Sequence, residues 1–391
     1  MVNRRSVLVG MGATAIAQLL SACGGTGKEK LTVRLLKDSI PVQLLSAFRR
    51  DQSQQVKLNF KVETQLKSLL KLLEDIQKQN QSPSQETSWL RLPGRNRSST
   101  IDLVTLGDYW LKLAIQKELI QPLPIEQLSG WQSLPPQWQT LVRRDNQGKL
   151  AENGQIWGAP YRWGATVIAY DAKQFKYQGW EPPRNWSDLW EREEFRQQFS
   201  LLDQPREVIG LTLKKLGKSY NTQDLNQVPN LKTELIELNK RVKFYSSDAY
   251  LQPLILKDTS LAVGWSTEIF DIQKSYPHIK AVMPASGSAL WTDLWVQPAS
   301  GNEETESNSL VNDWIDFCWQ EKSAEAISQL TGSPSPMANF SRQDLPTAIQ
   351  DNPLIAISSE VLERSDFLEP LPETTIEQYK DLWEEVRRNL E

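Results

Sequence analysis

The sequence predicts an α/β protein of two domains, and three observations carry that prediction. Strand-like and helix-like segments alternate from Leu31 to Gly107, the order that builds a parallel sheet. A second run of strands and helices from Gly164 onward uses new elements, with no internal repeat of fixed period. The 391 residues are enough for two cores of ordinary size.

LTVRLL, from Leu31, reads as a strand, and PVQLLSAFRRD as a helix with Leu44, Leu45 and Phe48 at helical spacing. VKLNFKVET alternates as a second strand, with Val56, Leu58, Phe60 and Val62 on one face. QLKSLLKLLEDIQKQ is a strongly periodic helix, followed by a polar surface insertion over residues 79–100. IDLVTL is a short apolar strand ending in Gly107-Asp108-Tyr109, and ligands of such sheets bind beyond the carboxyl ends of the strands. Beyond it, GATVIAYD, VKFYS, SLAVGW, IKAVMP and ALWTDLWV read as strands. NWSDLWEREEF and REVIGLTLKKLG read as helices, the second capped by Gly217. Two helices close the chain, LVNDWIDFCWQ, with Cys318 as a small buried hydrophobe, and LPETTIEQYKDLWEEVRRNL.

Residues 1–22 have the layout of an export signal: Arg4 and Arg5, an apolar stretch from Val7 to Leu20, then small residues. That stretch is too short to span a bilayer comfortably. Leu20-Ser21-Ala22-Cys23 resembles a lipobox, in which Cys23 is lipidated after cleavage and residues 23–30 form a tether to a membrane. Arg4-Arg5 followed by Ser6-Val7-Leu8 also resembles a twin-arginine export motif. Cleavage removes two of 44 basic residues and none of 48 acidic ones, giving 42 − 48 = −6. That acidity argues against nucleic acid as a partner.

The single histidine, His278, excludes a multi-histidine zinc site and reads as a solvated turn residue. No GxGxxG follows a strand and no GxxxxGK[ST] occurs, so no nucleotide cofactor and no metal is expected. What remains is carboxylates beside aromatics, in a chain with 15 tryptophans: Asp108 with Tyr109, Asp203 to Glu207, Trp265 to Glu268, and Trp291 with Asp293. An acid beside an indole suits an organic ammonium, through charge-assisted hydrogen bonds and cation–π contact. It also suits a sugar, which stacks on indoles, and two acids together suit glycoside hydrolysis.

In that order along the chain, IDLVTLGDYWLKLAIQKELIQPL, GAPYRWGATVIAYD, NWSDLWE, LLDQPREVIGLTLKKLG, LAVGWSTEIF, SALWTDLWVQP and TGSPSP resemble the periplasmic solute-binding proteins of bacterial ABC importers, specifically the spermidine/putrescine-binding group. The resemblance covers most of the chain after the signal. It implies a non-enzymatic, two-lobed periplasmic-binding-protein type II fold with a hinge of crossing strands, closing on a ligand. The lobes would be residues 31–160 with 292–337, and 161–291 with 338–391, with crossings near YRWGATV and WTDLW. It further implies a polyamine-like solute, a membrane permease as partner, and a periplasmic, lipid-anchored location.

Carried over residue by residue, the resemblance assigns Glu207, Trp265, Trp291 and Asp293 to the ammonium groups and methylene chain of a polyamine, and Tyr109 to an aromatic contact. Asp108, Asp203 and Trp163 complete the expected ligand set. The sequence departs from the family pattern at Gln204, where an acid is usual, at Gly107 for a serine, at Ser333 for a tyrosine, and in LLKDSIP, which lacks an aromatic pair. Trp295 stands where the family has a smaller apolar residue and is expected to pack inside the first lobe. A receptor for a sugar or other neutral solute, a carboxylate-pair hydrolase, and a surface adaptor remain as alternatives.

Overall fold

The computed structural model describes residues 29–52, 56–81, 101–299, 309–337, 354 and 357–388. The expected signal peptide, Cys23, the tether up to residue 28 and positions 82–100 of the expected insertion lie outside the described residues. No described helix is long and apolar enough to cross a membrane.

Strand β1 (Glu29–Leu36), helix α1 (Val42–Asp51), β2 (Val56–Glu63), α2 (Leu66–Gln81) and β3 (Leu103–Gly107) follow in the expected order. β1 pairs in parallel with both β2 and β3, because each connecting helix returns the chain to the same end of the sheet. Helix α1 buries Leu44, Leu45 and Phe48, as its spacing requires. β2 is the edge strand, so its apolar face is incomplete and Val62 is exposed. Helix α2 runs to Gln81, three residues into the stretch expected to be an insertion.

The chain continues through β4 (Ala159–Asp171), β5 (Phe199–Leu201), α3 (Pro205–Lys215), β6 (Phe244–Tyr245), β7 (Leu261–Trp265), α4 (Ser266–Ser275), β8 (Ile279–Val282) and β9 (Ala289–Pro298). Helices α5 (Ser309–Trp319), α6 (Glu321–Thr331) and α7 (Glu373–Arg388) follow. β4 is buried at every position but one, which fits its near-continuous apolar run. Two expectations shrink. The strand expected at 242–246 is two residues long, and the helix expected at 185–195 breaks into an α-turn (Asp188–Glu191) and a 3-10 turn (Glu193–Phe195). The break lets Phe195 reach the core, fully buried. Gly217 caps α3 at φ +69°, with the N–H groups of Lys218 and Gly217 donating to the carbonyls of Leu213 and Lys214.

Two compact units result. Among the described residues, the first holds those up to Arg162, those from Asp293 to Thr331, and Ser335 to Met337; the second holds Trp163–Thr292, Gly332–Pro334 and those after Asn339. In the first unit β9 joins β3 antiparallel, from Asp293 to Val296, and Trp314 of α5 packs against Phe48 and Phe60. In the second, β4 pairs antiparallel with β7 and β8, while β5 lies parallel to both β7 and β6. Trp186, Phe195, Phe199, Tyr220 and Tyr379 lie in its core. Cys318 is fully buried. His278 lies in a turn, as expected, but is half-buried rather than solvated, with Nε2 3.8 Å from Asp171 Oδ2.

Candidate functional site

In the first unit, β3 is buried along its whole length and delivers Gly107, Asp108 and Tyr109 to its carboxyl end. Asp108 is buried there, whereas Tyr109 is 52% exposed. Gly107 is the direct ladder partner of Asp293 on β9. Asp293 is itself buried and already holds a cation: Nε and Nη2 of Arg162 both lie 2.8 Å from its Oδ2. The other oxygen, Oδ1, has no hydrogen-bond partner among the described residues. Burial pushes the Asp293 carboxyl up, and the Arg162 guanidinium opposes that shift. An arginine stays protonated in a protein, so the pair is a fixed neutral unit rather than a bare carboxylate. Trp295, two residues on, is fully buried and stacks on Tyr161 at 4.2 Å, with Trp314 edge-on at 5.8 Å.

In the second unit, Gly164 and Thr166 lie on one face of β4, two residues apart. A Cβ on Gly164 would stand 2.2 Å from the Trp291 ring and 2.7 Å from Ser266 Oγ, so glycine is what lets the indole lie against the strand. The hydroxyl of Thr166 donates to Glu207 Oε2 at 2.9 Å. Thr166 is also the ladder partner of Trp265, the last residue of β7. One strand face therefore gathers Glu207, Ser266 and Trp291, with Trp265 on the adjoining strand. Glu207 sits in the first turn of α3, where the helix dipole favours negative charge, yet it is buried. Burial pushes its carboxyl up to about 7, with the Thr166 hydrogen bond and the charge of Arg206 pulling the other way.

Trp265 is half-buried and held from behind by Tyr250. The Tyr250 hydroxyl accepts the Trp265 N–H at 3.1 Å and donates to Glu268 Oε2 at 2.7 Å, and its ring meets the indole edge-on at 6.0 Å. Of the remaining expected ligand residues, Trp163 is buried, with its N–H donating to Pro334 O, and Asp203 is exposed, with its N–H donating to Ser247 Oγ. The partners Arg162, Gly164, Thr166, Tyr250 and Ser266 were not singled out from sequence. The one available signal was the string YRWGATV, where Arg162, Gly164 and Thr166 fall at alternate positions.

A model of the bacterial extracellular solute-binding proteins matches residues 98–363. The chain belongs to that family. This solute-binding protein is 24% identical over 375 residues to spermidine/putrescine-binding periplasmic protein 1 of Haemophilus influenzae, covering 96% of this chain and 97% of the relative. It is 25% identical over 291 residues to a putrescine/agmatine-binding protein of Pseudomonas aeruginosa, covering 70% of this chain and 75% of that one. Among solved structures, the spermidine/putrescine ABC transporter substrate-binding protein of Streptococcus pneumoniae superposes with a TM-score of 0.75 at 20% identity, covering 92% of this chain and 99% of that one. A maltose-binding periplasmic protein of Listeria monocytogenes superposes with a TM-score of 0.61 at 11% identity, covering 91% of each chain. These likenesses establish the two-domain periplasmic-binding-protein fold for this solute-binding protein. A fold found in a maltose-binding protein and in a spermidine/putrescine transporter protein leaves ligand chemistry to the side chains.

Proposed function

We propose that this chain is the receptor subunit of an ABC importer and captures a small, polyamine-like cationic amine, with Glu207 as the counter-charge. The observation that carries the proposal is a buried carboxylate that no lysine or arginine contacts among the described residues, held by Thr166, the ladder partner of Trp265, on the strand against which Trp291 lies. A bound ammonium would supply the missing charge, and the two indoles would line the apolar methylenes. The spermidine/putrescine-binding and putrescine/agmatine-binding relatives support an amine. The lipobox-like Leu20-Ser21-Ala22-Cys23 supports a lipid anchor that keeps the receptor at the membrane beside its permease.

Glu207→Gln keeps an acceptor for Thr166 and removes the charge. It is expected to weaken amine binding by about 1.5 kcal/mol or more, over tenfold, in titration calorimetry. Unchanged affinity in a folded variant discards Glu207 as the counter-charge. Binding of a sugar in place of every amine tested establishes the neutral-solute alternative instead.

A further inference from the structure

We infer that capture of the amine expels a proton from Glu207, so that the second unit exchanges one cation for another and holds its solute more weakly as pH falls. This rests on the amine-receptor proposal and adds a regulation of the same site. The geometry is that of a carboxylate shut off from water and from contact with positive charge. Glu207 is 5% exposed, and among the described residues its side chain accepts one hydrogen bond, from the Thr166 hydroxyl at 2.9 Å. The neighbouring Arg206 turns its guanidinium to the Tyr379 hydroxyl on α7, to Asn221 Oδ1 and to the Glu369 carbonyl. Further along α3, Lys214 is paired with Asp366 and Lys215 with Glu234. Tyr220 lies against α3 one turn beyond Glu207, where a Cβ on Gly210 would stand 1.9 Å from its ring. Burial and then the charge of Glu207 push the Tyr220 phenol up; burial, Glu268 and Glu207 do the same to Tyr250, so both phenols stay neutral.

In such surroundings the ionised carboxylate costs more than the neutral acid, so the empty site keeps its proton until a cation replaces it. On capture the acid O–H bond breaks, the proton leaves to solvent, and the remaining carboxylate accepts from the ammonium N–H groups. One cation enters and one leaves. With its carboxyl raised to about 7, Glu207 is mostly protonated at about pH 6 and mostly ionised at about pH 8. Glu268 accepts from the Tyr250 hydroxyl in a similar way and is also raised by burial, but it is exposed to water, which hydrates its ionised form.

Titration calorimetry with 1,4-diaminobutane, whose ammonium groups stay charged from about pH 6 to pH 8, tests the exchange. At about pH 6, in two buffers of different ionisation enthalpy, the heats are expected to report release of close to one proton per amine bound, and affinity is expected to be about tenfold weaker than at about pH 8. Thr166→Val removes a hydrogen bond to the ionised form and is expected to move the midpoint of that pH profile upward. Glu207→Gln has no proton to lose and is expected to bind weakly and equally at the two pH values. A pH dependence that persists in Glu207→Gln belongs to another group, Glu268 included, and overturns the inference. Infrared difference spectra need no variant: adding the amine to the wild-type chain at about pH 6 is expected to remove a protonated-carboxyl band. Equal wild-type affinity at the two pH values with no proton released overturns this inference and leaves the amine receptor standing. No binding of 1,4-diaminobutane, spermidine or agmatine at either pH overturns both.

Discussion

Because burial raises the Glu207 carboxyl to about 7 from the 4.5 of an unperturbed glutamate, folding and ionisation oppose each other between those pH values. In that window the folded chain binds the proton more tightly than the unfolded chain, so stability falls as pH rises and levels off above about 7. Glu207→Gln removes the conflict. It is expected to stabilise the protein at pH 8 by up to about 3 kcal/mol and to change it little near pH 4, read from urea unfolding at the two pH values. A variant no more stable than wild type at pH 8 means that the carboxylate is solvated in the folded chain. A residue that weakens the fold and is placed beside two indoles is what a binding role predicts.

Among the elements, those carried by long periodic patterns were legible in the sequence, and those fixed by side-chain contacts were not. α1, α2, α3 and the strands β1 to β3 follow from apolar spacing alone, and Gly217 from its place after the last helical turn. The break after Glu191 was not legible, because it falls at Arg192, whose backbone is extended while its guanidinium donates to Glu194 Oε1 and to the carbonyl of Glu181. The close approach of Tyr250 to β7 was equally hidden. A Cβ on Gly264 would lie 1.8 Å from the Tyr250 ring, so Gly264→Ala is expected to displace that ring and cost about 1–3 kcal/mol. Tyr250→Phe keeps the ring and loses both hydroxyl hydrogen bonds, at about 1–3 kcal/mol. Denaturant midpoints measure both, and an undisturbed Gly264→Ala variant rules out the packing described for Trp265.

For the molecule as a whole, two-domain organisation and most of the candidate residues could be read from short motifs, but their partners could not. Arg162 meets Asp293 across 131 residues of sequence, and Thr166 meets Glu207 across 41. Spacing along the chain carries no signal for pairs so distant. Among the tryptophans, Trp186, Trp295 and Trp314 are fully buried core residues, whereas Trp265 and Trp291 are half-buried. Saturation with the cognate amine at about 100 times its Kd is expected to add about 2.7 kcal/mol to global stability. Thermal unfolding with and without ligand reads this out, and a shift that persists in Glu207→Gln places the amine elsewhere.

Strand β9 carries Trp291 and Asp293 two residues apart, and its register is pinned by the pairing of Asp293 with Gly107. Loss or gain of a single codon within it would turn every following side chain to the opposite face. Descendants of this chain are therefore confined to exchanging residues at constant strand length when they change what they capture. Arg162 is the position where one such exchange, guanidinium for an apolar group, alters the local charge by a whole unit and leaves the backbone where it was.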